Sequence, residues 1–158
     1  MQTMNTPEIG QAAPDFRLRG SDGTHYTLSE YRGDQNVLLV FFPLAFSPVC
    51  SQQLPELQGM LQRFDEAETV VLGVSVDSHW SNGAFARALG LRFPLLSDWK
   101  REASVAYGVL LPEAGYSARA SFLVDKQGRI LWREIGENTS SVEEIPSLEA
   151  ALAALAQA

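Results

Sequence analysis

The residues of this chain that could carry chemistry gather in one short run, PLAFSPVC, residues 43–50. It ends on the only cysteine of the 158-residue chain, Cys50, with Pro43, Ser47 and Pro48 before it. Ser47 suits a helix N-cap, and Pro48 suits the first helical position, where an N–H would lack a partner anyway. On that register Cys50 is the third residue of a helix. Backbone N–H groups there have no intrahelical acceptor, and the positive end of the helix dipole favours an anion. A thiol in such a place is held more readily as the thiolate, the nucleophilic form. A lone cysteine is more often an inert core residue. A strand, a proline-containing loop and a cysteine in the first helical turn make instead the setting of a reactive thiol.

Other thiol chemistries fit less well. A cysteine hydrolase needs a base beside sulfur, and the chain has only His25 and His79. His25 falls in a hairpin turn. His79 follows a strand-like segment, at the end where loops often reach active sites. A dithiol oxidoreductase needs a C-x-x-C pair, which the chain lacks. One cysteine and two distant histidines do not have metal-ligand spacing. No Gly-rich phosphate loop follows a strand. No metal or other cofactor is expected.

Several elements must position the thiol. NVLLVFF, residues 36–42, is continuously apolar, the pattern of a strand buried on both faces, and it delivers the chain to Pro43. Leu54, Leu57, Leu61 and Phe64 recur at helical spacing over residues 48–64. Pro55 lies inside that helix and predicts a kink. TVVLGVSV (69–76) reads as a second buried strand, and WSNGAFARALG (80–90) as a helix stopped by Gly90. FPLLSD reads as a short strand and REASVAYG as a short helix. ASFLVD (120–125) and RILWREI (129–135) flank Lys126-Gln127-Gly128 as a hairpin. A second hairpin opens the chain, turning at Asp22-Gly23. The Ala-rich tail IPSLEAALAALAQA predicts a helix with Pro146 in its first turn and a docking face of Leu148, Leu152 and Leu155. The pattern predicts one α/β domain over residues 1–158, a central mixed β-sheet with helices on both faces and an N-terminal β-hairpin.

Composition narrows the class further. A chain of this length buries a core without staples. A net charge of −7 argues against a nucleic-acid footprint or an anionic membrane partner. The N-terminal MQTMNTPEIGQAAPDF lacks the charged and apolar regions of a signal peptide. No apolar run approaches the ~20 residues of a membrane span. With a single free thiol, these features predict a cytoplasmic protein.

PLAFSPVC resembles the active-site loop of the peroxiredoxins, in which a proline, a threonine or serine and a cysteine stand at the spacing of Pro43, Ser47 and Cys50. SARASFLVD (117–125) is similar to the segment in which that family carries an arginine before a core strand, here Arg119. IGQAAPDFRL, YRGDQNVLLVFFP and FPLLSD also resemble family segments, so the likeness runs along nearly the whole chain. FFPLAFSPVC with FPLLSD looks most like the AhpE-type one-cysteine group.

The resemblance implies a thioredoxin-like fold and a thiol-dependent peroxidase. Its substrates would be hydrogen peroxide, organic hydroperoxides or peroxynitrite. Cys50 would attack one peroxide oxygen, and the charge on the departing oxygen would need stabilising. By resemblance, Arg119 would hold thiolate and peroxide, and Ser47 would hydrogen-bond around them. The backbone N–H groups of Val49 and Cys50 would act as oxyanion-type donors, and Pro43 would shield the sulfur. Gln53 matches a position where the family has Glu or Gln; it would tie down Arg119 or else lie exposed. Serine in place of threonine at 47 loses a methyl and orients its hydroxyl less firmly. The resulting sulfenic acid would be resolved by an external thiol: a low-molecular-weight thiol, a glutaredoxin-like protein or thioredoxin. A homodimer is expected. Phe46 and Pro48 would serve local packing or its contact, and Trp80 and Trp99 the core or an interface. A non-enzymatic module on the same fold would instead have a thiol that ignores stoichiometric peroxide.

Overall fold

Alternation of apolar strands with helices is realised in a computed structural model that describes residues 5–136 and 148–157. The strands are β1 (Arg17–Gly20), β2 (His25–Thr27), β3 (Asn36–Phe41), β4 (Thr69–Ser75), β5 (Leu95–Ser97), β6 (Leu110–Leu111), β7 (Tyr116–Ser117), β8 (Ala120–Val124) and β9 (Ile130–Ile135). The helices are α1 (Cys50–Gly59), α2 (Leu61–Glu66), α3 (His79–Leu89), α4 (Glu102–Ala106) and α5 (Leu148–Gln157), with a 3-10 turn at Leu28–Tyr31. Seven strands form one mixed sheet in the order β2-β1-β5-β4-β3-β8-β9. Its centre, β5-β4-β3, is parallel, and antiparallel hairpins complete both sides. The expected hairpins, central strands and the Gly90 stop of α3, in left-handed conformation, are all present. The short pair β6-β7 has no clear trace in the sequence, since two-residue strands carry no periodicity.

The period of two along β3 divides the core. Val37, Leu39 and Phe41 face a cluster with Tyr107 and Phe122, whereas Leu38, Val40 and Phe42 face Leu54, Leu57, Phe64 and Phe85. Helices α1, α2, α3 and α5 all pack on that second face; α4 and the 3-10 turn serve the first. Both faces are thus covered as expected, but the longer helices are on one side. The α5 docking face is as expected, with Leu148, Leu152 and Leu155 half-buried around a fully buried Ala151. Pro146 lies outside the described residues.

The helix expected over 48–64 is two helices. The chain breaks at Met60, whose N–H bonds to Leu57 O in a tighter turn, and α1 runs through Pro55. Among the described residues no helix is long and apolar enough to cross a membrane.

Asp98 anchors the loop side of the first core face. Its buried carboxylate accepts from Ala103 N (2.9 Å), Ser104 N (2.7 Å) and Ser104 Oγ (2.7 Å). Those bonds start α4 after Arg101, which stands in the left-handed region at φ 62°. Asp98→Ala strands these donors away from water, and a loss of about 2–4 kcal/mol is expected. Urea denaturation checks it: an unchanged midpoint would show that water replaces the carboxylate.

Candidate active site

β3 ends at Phe41 and passes directly into the loop of residues 43–49. Pro43 is buried, and Phe46 adopts φ 67°. That left-handed conformation costs a bulky residue roughly 1–2 kcal/mol. Its ring packs on Phe85 of α3, with centroids 4.9 Å apart, while the residue stays mostly exposed. Local packing is therefore part of its role, as one of the two expectations held.

The helix begins differently from the sequence expectation. Ser47 is not its cap: the Ser47 hydroxyl donates back to Leu44 O at 3.0 Å, and Val49 holds the cap position with no side-chain bond. One bond of helical spacing precedes it, Ser51 N–H on Ser47 O at 2.9 Å; Gln53 N–H then bonds Val49 O at 2.8 Å, and Gln52 N–H shares that carbonyl at 3.1 Å. Cys50 is consequently the first helical residue rather than the third. The left-handed turn at Phe46 bends the chain back on Leu44, so the Ser47 hydroxyl reaches a carbonyl behind it before any N–H ahead. The thiol still sits in the first turn of α1, at the positive end of its dipole.

Cys50 is completely buried, on the same face of α1 as Gln53, Leu54 and Leu57. Arg119 is also buried, at 1% exposure, and is not a solvated surface residue. Its Nη1 lies 3.1 Å from Cys50 Sγ and donates to Gln53 Oε1 at 2.6 Å. Sheet register makes the meeting possible across 69 residues of sequence. β3 and β8 pair with Phe41 opposite Ala120, so Arg119 comes level with the start of the loop. Gln53 follows Cys50 by three residues, one helical turn, and meets the same guanidinium. Of its two readings, the buried tie to Arg119 is the one observed.

A pocket of ≈250 Å³ is lined by Pro43, Leu44, Ser47, Pro48, Val49, Tyr116 and Arg119, the last of which links it to the sulfur. Tyr116 and Leu44 were absent from the sequence reading. Tyr116 belongs to the short β7, which leaves no periodic signal, and Leu44 reads as a generic loop residue. A larger groove of ≈460 Å³, between α2 and the start of β4, shares none of these residues.

His79 is not part of this arrangement. It starts α3 with its ring 4.4 Å from that of Trp80. Burial, then the charges of Arg19 and His25, lower its pKa from the ordinary histidine value. Among the described residues the hydrogen-bond partner of Cys50 is Arg119, not a histidine base. Trp80 and Trp99 are exposed, at 75% and 61%, so the core alternative fails for both.

An arginine that contacts a buried thiol and also lines a small pocket can stabilise negative charge that develops there and hold an oxygen. The chain matches the AhpC/TSA family over residues 9–133. It is 43% identical over 129 residues to alkyl hydroperoxide reductase E of Mycobacterium tuberculosis, covering 80% of this chain and 84% of that one. Peroxiredoxin Bcp of Bacillus subtilis is 32% identical over 152 residues, 91% of this chain and 96% of its own length. Among solved structures, peroxidoxin BcpB of Mycobacterium tuberculosis superposes with a TM-score of 0.83 at 27% identity, covering 96% of this chain and 97% of that one.

Proposed function

The chain belongs to the AhpC/TSA family of peroxiredoxins, and from that membership we propose how its residues divide the work. The protein is a thiol peroxidase with a thioredoxin-like fold. Its single cysteine fits a one-cysteine mechanism. The observation that supports the assignment of roles is the 3.1 Å contact between Arg119 Nη1 and Cys50 Sγ.

In this reading the Cys50 thiolate attacks one peroxide oxygen, forming the S–O bond as the O–O bond breaks. The other oxygen leaves with the electron pair as hydroxide or alkoxide and takes a proton to become water or an alcohol. Arg119 holds sulfur before attack and the departing charge during it. The N–H groups of Val49 and Cys50 add donors at the positive end of α1. Pro43 walls off water. Ser47 keeps its hydroxyl on Leu44 O and shapes the pocket mouth, with its lone pairs available to a peroxide proton. Gln53 orients Arg119 from behind. The pocket is smaller than the ~300–1,000 Å³ that suits drug-sized ligands, which favours hydrogen peroxide or a compact hydroperoxide. An external thiol then displaces the sulfenic oxygen as water, leaving a mixed disulfide. A second thiol releases Cys50 and carries away the disulfide. A low-molecular-weight thiol, a glutaredoxin-like protein or thioredoxin would serve, in the cytoplasm.

Adding one equivalent of hydrogen peroxide to the reduced protein tests the reading. Intact-mass and peptide spectra are expected to show one added oxygen on Cys50, removed by added thiol. No rapid uptake near neutral pH would reject it.

The assembly is a homodimer in this reading. Leu44 and Phe46 follow β3, Trp80 follows β4 and Trp99 follows β5, so exposed apolar side chains collect at one end of the parallel strands. A second copy of this rim is the partner whose chemistry matches it. Sedimentation velocity is expected to give a dimer for the parent chain and a shift to monomer for Trp80→Glu; a parent monomer at micromolar concentration rejects the dimer.

A further inference from the structure

The loop that carries Pro43 and Ser47 is strained at Phe46, yet its own bonds are few, so something outside it must hold it. The holder is a carboxylate just past the C-terminal end of the neighbouring parallel strand, β4. Asp77 Oδ2 accepts from Ala45 N at 2.7 Å and from Ser75 Oγ at 2.8 Å. Asp77 is fixed in turn: its carbonyl accepts from Ser97 Oγ at 2.7 Å, and its N–H reaches Ser75 Oγ at 3.3 Å. Ser75 and Asn82 are completely buried, and their polar atoms lie 3.2 Å apart. A hydrogen-bonded set of buried and half-buried polar groups on β4, β5 and α3 therefore ends on one backbone N–H, immediately before the left-handed residue.

We infer that Asp77 is a positioning residue for the peroxide step, its carboxylate clasping Ala45 N–H so that the strained loop presents Pro43 and Ser47 around Cys50. Asp77 touches neither sulfur nor the pocket. It acts through the loop alone. A charge-assisted bond is stronger than a neutral one, and two donors converging on one oxygen leave it little freedom to swing. Without the clasp, Phe46 relaxes out of the left-handed region. Ser47 and Pro48 then move with it, because only three residues separate Phe46 from Cys50.

The inference rests on Cys50 being the thiol that peroxide oxidises. The test compares two reactions of that one thiol: oxidation by hydrogen peroxide, which needs the ordered loop, and alkylation by iodoacetamide, which needs only access. For Asp77→Ala, oxidation is expected to slow on the order of 10–100-fold, the scale of a misplaced reacting group. Alkylation is expected to become faster, since Cys50 is fully buried while the loop is clasped. Asp77→Asn retains an amide oxygen that can accept from Ala45 N–H and is expected to restore most of the oxidation rate. Loss of global stability alone would not drive the two rates apart in a folded sample. If Asp77→Ala fails to fold, Ser75→Ala, which frees the carboxylate from its second donor, is expected to move both rates in the same directions by less. Unchanged oxidation in the folded variant, both rates falling together, or an Asp77→Asn loss as deep as that of Asp77→Ala overturns the inference. Failure of the parent protein to take up oxygen would instead reject the assignment of Cys50.

Discussion

Cys50→Ser is expected to leave a folded protein with no measurable peroxide reduction, the largest effect any single substitution here should have. The chain offers no second thiol to take over. A serine hydroxyl is un-ionised near neutral pH, and oxygen is a poorer nucleophile than sulfur toward a peroxide O–O bond. The fold should survive, because the two side chains have nearly the same shape. A buried hydroxyl without a partner costs roughly 1–3 kcal/mol, but Arg119 Nη1 stands 3.1 Å from the sulfur position and can donate to oxygen. Peroxide consumption with excess thiol, read beside a thermal melt, checks both halves. Turnover at the parent rate in Cys50→Ser would remove the thiol from the mechanism altogether.

Arg119→Ala is expected to slow oxidation of Cys50 by about 10²–10³, the cost of removing a preorganised charge stabiliser. Contact geometry points to the guanidinium rather than the helix. Arg119 Nη1 meets the sulfur directly at 3.1 Å, whereas a helix N-terminus acts through partial charges spread over its first turn. Stability is expected to fall as well, by roughly 1–3 kcal/mol, because buried Gln53 Oε1 loses its donor, so the rate is read in the folded sample. Arg119→Lys keeps the charge on a shorter, less directional group and is expected to fall between the two. Stopped-flow oxidation with a parallel denaturation curve gives both readings. An oxidation rate in Arg119→Ala equal to the parent's would reject the role given to this arginine.

Much of this was legible beforehand, and the successes share a cause. Strand β3 could be read because its run is apolar at every position after Asn36, and α3 because its spacing and Gly90 agree. Cys50 stood out because strand, proline and helix start lie within a few residues of one another. Arg119 was reached only through resemblance; its isolated sequence context suits a surface arginine equally well. The failures share a cause too. Ser47 had the right chemistry for a cap, but the left-handed turn at Phe46 directed its hydroxyl to Leu44 O. The strand-end signal after β4 marks a loop that does reach the site, and His79, set aside as a base, stays away from the sulfur; Asp77, two positions earlier, is the side chain that bonds the Cys50 loop and carries no local signal.

By itself, then, the sequence determined most of the elements, the family and Cys50 as the candidate thiol, because periodicity, turn chemistry and a short motif act over neighbouring residues. Tertiary structure decided which distant groups meet that thiol. The β3–β8 register brings Arg119 to Cys50, the buried face of α1 turns Gln53 toward both, and the end of β4 sets Asp77 beneath Ala45. Those contacts depend on strand order and on the hand of one strained residue, and neither is carried by any local stretch of chain.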